Sequence, residues 1–180
     1  SDGYFSNYNL SLPVISDVNT LANSYNYKTY AEIFDDNVSS FSILLKSATS
    51  LSNDDVKLTE RLYIPANKLR GFERGKVGPK DGKDFIGGNY LTSINFQSNI
   101  PILFQTSENL DAIIFFDVAN VWGVDYNSLI DDGSKVRSSL GIGLDWLTPV
   151  GPLNFSLSEV ITKKDTDVEE SFRFNLGTTF

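Results

Sequence analysis

The sequence predicts an all-β protein, and its pattern favours an antiparallel transmembrane β-barrel over a soluble sandwich. Apolar and polar residues alternate in eight separate segments, which is the period of a half-buried strand. Several segments reach the about 9–11 residues that a tilted strand needs to cross the hydrocarbon core. Charged residues such as Asp117 and Arg137 lie deep within the polar faces, where a polar lumen accommodates them. A soluble sandwich or barrel with the apolar face inside is the alternative.

Three predicted strands precede a long polar segment. Their apolar residues are, strand by strand, Tyr8, Leu10, Leu12 and Val14; Tyr25, Tyr27, Ala31 and Ile33; and Phe41, Ile43 and Leu45. The residues from about 52 to 87 are rich in charged residues, Gly and Pro and show no strand period. They therefore predict one long loop.

Five further strands are predicted after this loop. Their apolar faces carry Tyr90, Thr92, Ile94 and Phe96; Leu110, Ala112, Ile114, Phe116 and Val118; Val136, Leu140, Ile142, Leu144 and Trp146; Leu153, Phe155 and Leu157; and Phe172, Phe174, Leu176 and Phe180. The sixth and seventh strands are joined by a short turn at 148–152. Short turns at one end and long loops at the other are typical of membrane barrels.

The composition excludes several classes of function. The chain contains 15 Lys and Arg against 23 Asp and Glu, and this net charge of -8 argues against a nucleic-acid surface. It has no Cys and no His, which removes thiolate nucleophiles, imidazole bases and the usual zinc ligands. Carboxylate, Lys, Tyr and Ser chemistry remains open, but the Ser residues have no His base and no convincing Ser–Lys nucleophile is present. We predict no enzyme activity, catalytic residue, metal site or cofactor. There is also no Met, even at position 1, so we expect a fragment or a processed chain.

Five short motifs occur in the order and spacing of one known family. Residues 69–72 contain Arg-Gly-Phe, 87–89 open a strand with two glycines, 115–122 resemble an F-x-D-x-G element, 137–153 resemble an R-x-S-x-G-x-G-x-x-W-x-S-P-x-G-P-L block, and 172–180 resemble a terminal strand. Over about residues 60–180 the chain thus resembles the bacterial surface antigen family, the barrel domain of BamA-type outer-membrane assembly factors. It departs from the family pattern at Leu69 and Ala119, where relatives usually carry Val and Gly, and at Gln97, where some relatives carry Glu.

The resemblance implies a place within a larger barrel. The family barrel has roughly sixteen strands and follows periplasmic POTRA domains. Residues 1–180 are then the C-terminal portion of an outer-membrane β-barrel domain, with about eight strands forming its second half. The upstream barrel strands and the POTRA domains lie outside this chain.

The resemblance also implies a lock between the long loop and the lumen. In the family the tip of this loop folds back inside the barrel, so that Arg70, Gly71 and Phe72 meet the wall near Asp117. The period of two independently places Asp117 and Gln97 on the lumenal face. A guanidinium held by a carboxylate is geometrically specific, and the predicted role is structural. A solvated loop arginine is the alternative.

The terminal strand is the second predicted site. By resemblance, Phe172, Phe174, Leu176, Gly177 and Phe180 form one side of a lateral seam in the barrel. Phe180 also fits the plain role of an interfacial aromatic residue. Gly177 lets the strand bend, which leaves backbone groups free to pair with a substrate strand.

The function that the resemblance implies is that of an outer-membrane protein assembly factor. Such a factor assists the folding and insertion of β-barrel proteins into the bacterial outer membrane and uses no cofactor. The implied partners are outer-membrane lipid, nascent β-barrel proteins and accessory assembly lipoproteins. The alternatives are a TamA-like or two-partner-secretion translocator and a passive structural or porin-type barrel.

Overall fold

The main sheet of the described residues has eight antiparallel strands, each paired with its neighbours in sequence within that sheet, and two further sheets have two short strands each. The computed structural model describes residues 3–13, 19–52, 54–103, 109–149 and 151–176. The strands are β1 (Gly3–Ser11), β2 (Thr20–Ala31), β3 (Ser39–Ser50), β4 (Tyr90–Asn99), β5 (Leu110–Trp122), β6 (Arg137–Thr148), β7 (Gly151–Thr162) and β8 (Phe172–Leu176). Each of the eight predicted segments corresponds to one of these strands. Within the described residues β1 and β8 each pair on one side only, so the sheet has two open edges.

The ends of two strands differ from the prediction. β1 lies earlier than expected, because its ladder with β2 runs from Gly3↔Tyr30 to Ser11↔Ala22. Leu12 therefore follows the strand, and Val14 is outside the described residues. β2 ends before Ile33, which lies in the connection to β3. In both places the alternation continues past the point where the partner strand offers backbone hydrogen bonds, and the ladder decides where the strand ends.

The predicted alternation of faces is confirmed in β6. Leu140, Ile142 and Trp146 are 48%, 56% and 46% exposed, and no second sheet covers them within the described residues. Arg137 and Ser139 on the opposite face are 1% and 0% exposed. The outward face is thus apolar and uncovered while the inward face is polar and buried, which is the arrangement of a membrane barrel wall.

The inward face is less polar than the sequence predicts. Leu44 of β3 and Ile113, Phe115 and Val121 of β5 all point inward and are buried. We predicted the inward face of β5 from Asp111 and Asp117 alone. The apolar residues are there because the inward face packs against protein rather than against water.

The protein that covers the inward face is the connection between β3 and β4, residues 51–89, here called the RGF loop. It contains two short 3-10 helices, Leu58–Glu60 and Ala66–Lys68, and three two-residue strands, Gly71–Phe72, Lys80–Asp81 and Asp84–Phe85. The segment 52–87, predicted as one long loop, therefore connects two strands of the main sheet and contains several short elements joined by turns. One buried cluster joins Ile64, Leu69, Phe72 and Val77 of this loop to Leu44, Leu91, Ala119 and Val121 of the wall.

The connections alternate in length along the sheet. Those that follow β3, β5 and β7 span 51–89, 123–136 and 163–171, whereas those that follow β2, β4 and β6 span 32–38, 100–109 and 149–150. The longest connections therefore lie at the same end of the sheet, as predicted. No helix in the described part of the chain is long and apolar enough to cross a membrane.

Candidate functional site

The tip of the RGF loop places Arg70 against Asp117 of β5. Arg70 Nε donates a hydrogen bond to Asp117 Oδ2 at 2.8 Å, and Nη2 donates to Oδ1 at 2.9 Å. The backbone N–H of Arg70 also donates to Oδ2, at 3.0 Å. The planar guanidinium thus meets both carboxylate oxygens, which is the strong bidentate geometry of an arginine–carboxylate pair. The structure brings these two predicted residues together.

Three residues of the wall complete the surroundings of this pair. Gln97 Oε1 accepts a hydrogen bond from Arg70 Nη1 at 3.0 Å, so the side-chain amide supplies a neutral acceptor for the guanidinium. Asn95 Nδ2 donates to Asp117 Oδ1 at 2.9 Å. The ring centroid of Phe115 lies 3.5 Å from Arg70 Cζ, which adds a cation–π contact. The Asp117 side chain has no exposed surface, so loss of Arg70 leaves a buried carboxylate unpaired.

The two residues after Arg70 fit closely against β6 and β7. Gly71 has a φ of +90°, and a Cβ atom there would lie 3.1 Å from Ser139 Cβ and 3.2 Å from Ser158 Cβ. Both the backbone angle and the space therefore favour glycine. The Ser139 hydroxyl donates to the Arg70 carbonyl oxygen. Phe72 is 1% exposed and belongs to the buried cluster, so the predicted Arg-Gly-Phe residues are all fixed against the wall.

A second arginine–carboxylate pair is more completely buried than the first. Arg137 of β6 donates from Nε to Asp167 Oδ2 at 2.8 Å and from Nη2 to Oδ1 at 3.1 Å, and the side chains are 1% and 0% exposed. Arg137 Nη1 also donates to Asn120 Oδ1 at 2.6 Å. Asp167 further accepts from the backbone N–H groups of Gly78, at 3.2 Å, and Lys164, at 2.7 Å. This pair joins the RGF loop, the wall and the connection between β7 and β8.

A third pair, Arg61 and Asp125, lies outside the strands at the end that carries the long loops. Arg61 Nη2 is 2.5 Å from Asp125 Oδ1. Asp125 Oδ2 accepts from the Val56 backbone N–H and from Asn89 Nδ2, both at 2.9 Å. Burial raises the pKa of the Asp125 carboxyl, but the hydrogen bonds from Val56, Asn89 and Arg61 outweigh burial and hold that pKa below its usual value. The carboxylate form therefore stabilises this part of the RGF loop.

The predicted seam residues lie on the last described strand. Phe172, Phe174 and Leu176 point outward and are 56%, 50% and 62% exposed. Gly177 and Phe180 lie outside the described residues. The side of β8 that does not face β7 has no partner strand within the described residues. The role of these residues in a seam stays a prediction.

Sequence analysis missed several residues of this network. Asp167 and Asp125 lie in polar loops, where no period marks a residue as buried. Phe115 is an apolar residue on a face that we predicted as polar. One signal was available, because Arg137 lies on the inward face of β6 by parity and a buried arginine requires acceptors.

Comparison with known proteins agrees with this architecture. The family description that matches residues 1–180 is the Omp85 superfamily domain. The chain belongs to the Omp85 superfamily. The protein named outer membrane protein assembly factor BamA in Neorickettsia risticii (strain Illinois) is 26% identical to it over 168 residues, which cover 91% of this chain and 22% of that protein. The protein of the same name in Neisseria meningitidis serogroup B (strain MC58) is 28% identical over 139 residues, 62% of this chain and 17% of that protein.

A solved structure of an Omp85 relative has the same fold. The crystal structure of BamA from Haemophilus ducreyi lacking POTRA domains 1–3 matches with a TM-score of 0.82 at 28% identity, over 97% of this chain and 37% of that chain. The predicted family and the predicted partial membrane barrel are thereby confirmed. The chain spans about a fifth of the length of the curated bacterial relatives named above. These Omp85 relatives are outer-membrane proteins, and the bacterial outer membrane is the location of this chain.

Proposed function

We propose that this chain is the barrel portion of a factor that assists the folding and insertion of β-barrel proteins into the outer membrane. The observation that carries the proposal is the RGF loop docked against the inward face of the wall. The loop is bound to the wall through Arg70 and Asp117. β8, the last described strand, pairs with β7. Relatives of the chain are named assembly factors, which supports the same function.

The mechanism that fits this geometry is strand pairing rather than covalent chemistry. When the seam beside β8 opens in the intact barrel, its edge presents a row of N–H and C=O groups that an incoming strand satisfies by β-augmentation. In the hydrocarbon region these groups have no water to bind, so an arriving strand that pairs with them is strongly favoured. The chain then acts without catalysing a reaction and without a cofactor. Its partners are nascent β-barrel proteins and outer-membrane lipid, together with accessory lipoproteins.

The RGF loop distinguishes this function from that of a passive porin-type barrel. A porin needs an open water-filled lumen, whereas this loop places Leu69, Phe72 and Val77 in a buried cluster with the wall. The loop thus occupies space that a channel would require. We infer that the loop is held in place by Arg70, Gly71, Phe72, Asp117 and Gln97. These contacts keep the wall rigid while the terminal strand pairs with an incoming strand.

The first experiment tests the loop contact in the intact protein that contains this chain. Arg70→Ala and Asp117→Asn should each slow the insertion of a denatured outer-membrane barrel protein into lipid vesicles that contain the variant. The double variant should show less than the sum of the two defects, because both substitutions remove one interaction. Arg74→Gln, at an exposed arginine in the same loop, is the matched control. A simple sum of the two defects would contradict the lock.

The second experiment tests the edge strand. Cysteine pairs that join β8 to the strand beside it across the seam of the intact barrel should block insertion of the same client. A control crosslink between β6 and β7, made with Trp146→Cys and Leu153→Cys at directly paired positions, should leave insertion unchanged. Normal insertion by the β8-linked protein would exclude edge pairing as the mechanism.

A further inference from the structure

The connection that leads into β8 is bound to the RGF loop rather than only to its neighbour strand. Glu169 and Glu170 form a short antiparallel ladder with Phe72 and Gly71. The backbone N–H of Glu73 donates to the Val168 carbonyl oxygen at 2.9 Å, which extends this ladder by one bond. The chain therefore enters the last strand directly from a pairing with the tip of the loop.

Arg173 of β8 also contacts the RGF loop. This side chain points inward and is only 9% exposed. Its Nη1 donates to the Ala66 carbonyl oxygen at 2.6 Å, and its Nη2 donates to the Phe72 carbonyl oxygen. Its Nε donates to Glu170 Oε2 at 2.7 Å, which fixes the orientation of the guanidinium. One arginine of the last strand thus binds the RGF loop on both sides of Arg70.

β8 contacts two parts of the protein, the strand β7 and the RGF loop. It pairs with β7 over 5 described residues, from Leu157↔Phe172 to Leu153↔Leu176. Arg173 lies within this ladder, and its side chain adds hydrogen bonds to two carbonyl oxygens of the RGF loop. Because a hydrogen bond from a charged donor contributes more than one from a neutral donor, Arg173 is a specific link between β8 and the loop.

We propose that Arg173 is a positioning residue that couples the terminal strand to the docked state of the RGF loop. The physical connection is short, because Arg70 binds the wall and Phe72, two residues later, accepts from Arg173. Release of the loop from Asp117 displaces the acceptors of Arg173 and loosens β8. By linkage, release of β8 loosens the loop to the same degree. The use of this coupling in client insertion rests on the proposed function, but the coupling itself does not.

Hydrogen–deuterium exchange of the intact protein in lipid vesicles tests the coupling in both directions. Arg173→Gln should raise the exchange rate of residues 71–73 as well as that of β8. Arg70→Ala, which removes none of the hydrogen bonds given above for Arg173, should raise the exchange rate of β8. We expect about a tenfold rise in each case, because hydrogen bonds from a charged donor are lost. Arg74→Gln should leave both segments unchanged.

A purely local role of Arg173 gives a different result. In that case Arg70→Ala raises exchange in the loop and leaves β8 as in the unchanged protein, and this outcome overturns the proposal. The double variant should show no further rise in β8 beyond that of Arg173→Gln, and an additive rise also counts against coupling. Arg173→Lys keeps the charge but reaches fewer acceptors. The exchange rate of β8 in this variant should therefore lie between those of the unchanged protein and Arg173→Gln.

The test does not depend on one variant. If Arg173→Gln does not fold, Arg70→Ala and Arg173→Lys still give the two directions of the coupling. Vesicle insertion by the same variants is measured separately. If exchange is coupled but insertion is normal, the coupling is supported and the proposed function is contradicted. If exchange is uncoupled but insertion is slow, the coupling is contradicted and the proposed function is supported.

Discussion

Substitution of Asp167 by Ala should strongly destabilise the protein. Asp167 accepts hydrogen bonds from Arg137 Nε and Nη2 and from the backbone N–H groups of Gly78 and Lys164. After Asp167→Ala the guanidinium of Arg137 keeps Asn120 as a side-chain acceptor, but no carboxylate balances its charge. The variant therefore leaves an uncompensated cation in a fully enclosed site.

The magnitude follows from the burial of both partners. The side chains of Arg137 and Asp167 are 1% and 0% exposed, so water does not replace the lost acceptor. Removing one partner of such a buried pair costs about 3–5 kcal/mol. Arg137→Met combined with Asp167→Ala removes the charge together with its partner. We expect this double variant to lose about 2 kcal/mol less than Asp167→Ala alone.

The assay is the free energy of unfolding of the intact protein in lipid vesicles, from denaturant titrations monitored by tryptophan fluorescence. Asp165→Ala is the matched control, since Asp165 lies in the same connection and is exposed. A loss below about 1 kcal/mol for Asp167→Ala would place the pair in the range of surface salt bridges and refute the reasoning. A double variant less stable than Asp167→Ala would refute the argument about the unpaired charge.

Three further predictions concern the RGF loop and the residues around it. Gly71→Ala should cost about 1–3 kcal/mol of unfolding free energy, because the backbone has a positive φ and Ser139 lies close to the new methyl group. Gly141→Ala should cost about as much, because its methyl group would overlap the ring of Phe115, and unfolding measurements check both. Asp125 has a folded pKa below the unfolded value, so its carboxylate contributes stability above the unfolded pKa and loses it as the pH falls through the folded pKa. Asp125→Asn should therefore lower stability at neutral pH and weaken the dependence of unfolding on acid pH.

The strands were predictable because alternation follows directly from the pleat. In β6 each second residue from Leu140 to Trp146 is apolar, and Leu140, Ile142 and Trp146 on this face are exposed. The contact of Arg70 with Asp117 was predictable because parity placed the carboxylate inward and the resemblance placed the arginine near it. Both predictions rest on features that are local in the sequence.

The remaining contacts were not predictable for a physical reason. Arg173 was visible as an inward residue, but two of its acceptors are backbone carbonyls of Ala66 and Phe72, and a carbonyl has no sequence signature. Asp167 pairs with Arg137, which precedes it by 30 residues and is separated from it by β7. The inward position of Phe115 follows from the docked loop, which replaces water as the neighbour of the wall.

The position of the RGF loop also sets the order in which the chain can fold. Three hydrogen-bond partners of the loop come much later in the chain: Asp117 lies 47 residues after Arg70, Asp167 lies 89 after Gly78, and Arg173 lies 107 after Ala66. Contacts at such separations form slowly, because chain entropy is lost before they contribute. The loop precedes β7 and β8 in the chain, so its apolar residues lack their full cover until the β7–β8 hairpin has joined the sheet. Until that hairpin is in place, these residues are exposed to aggregation.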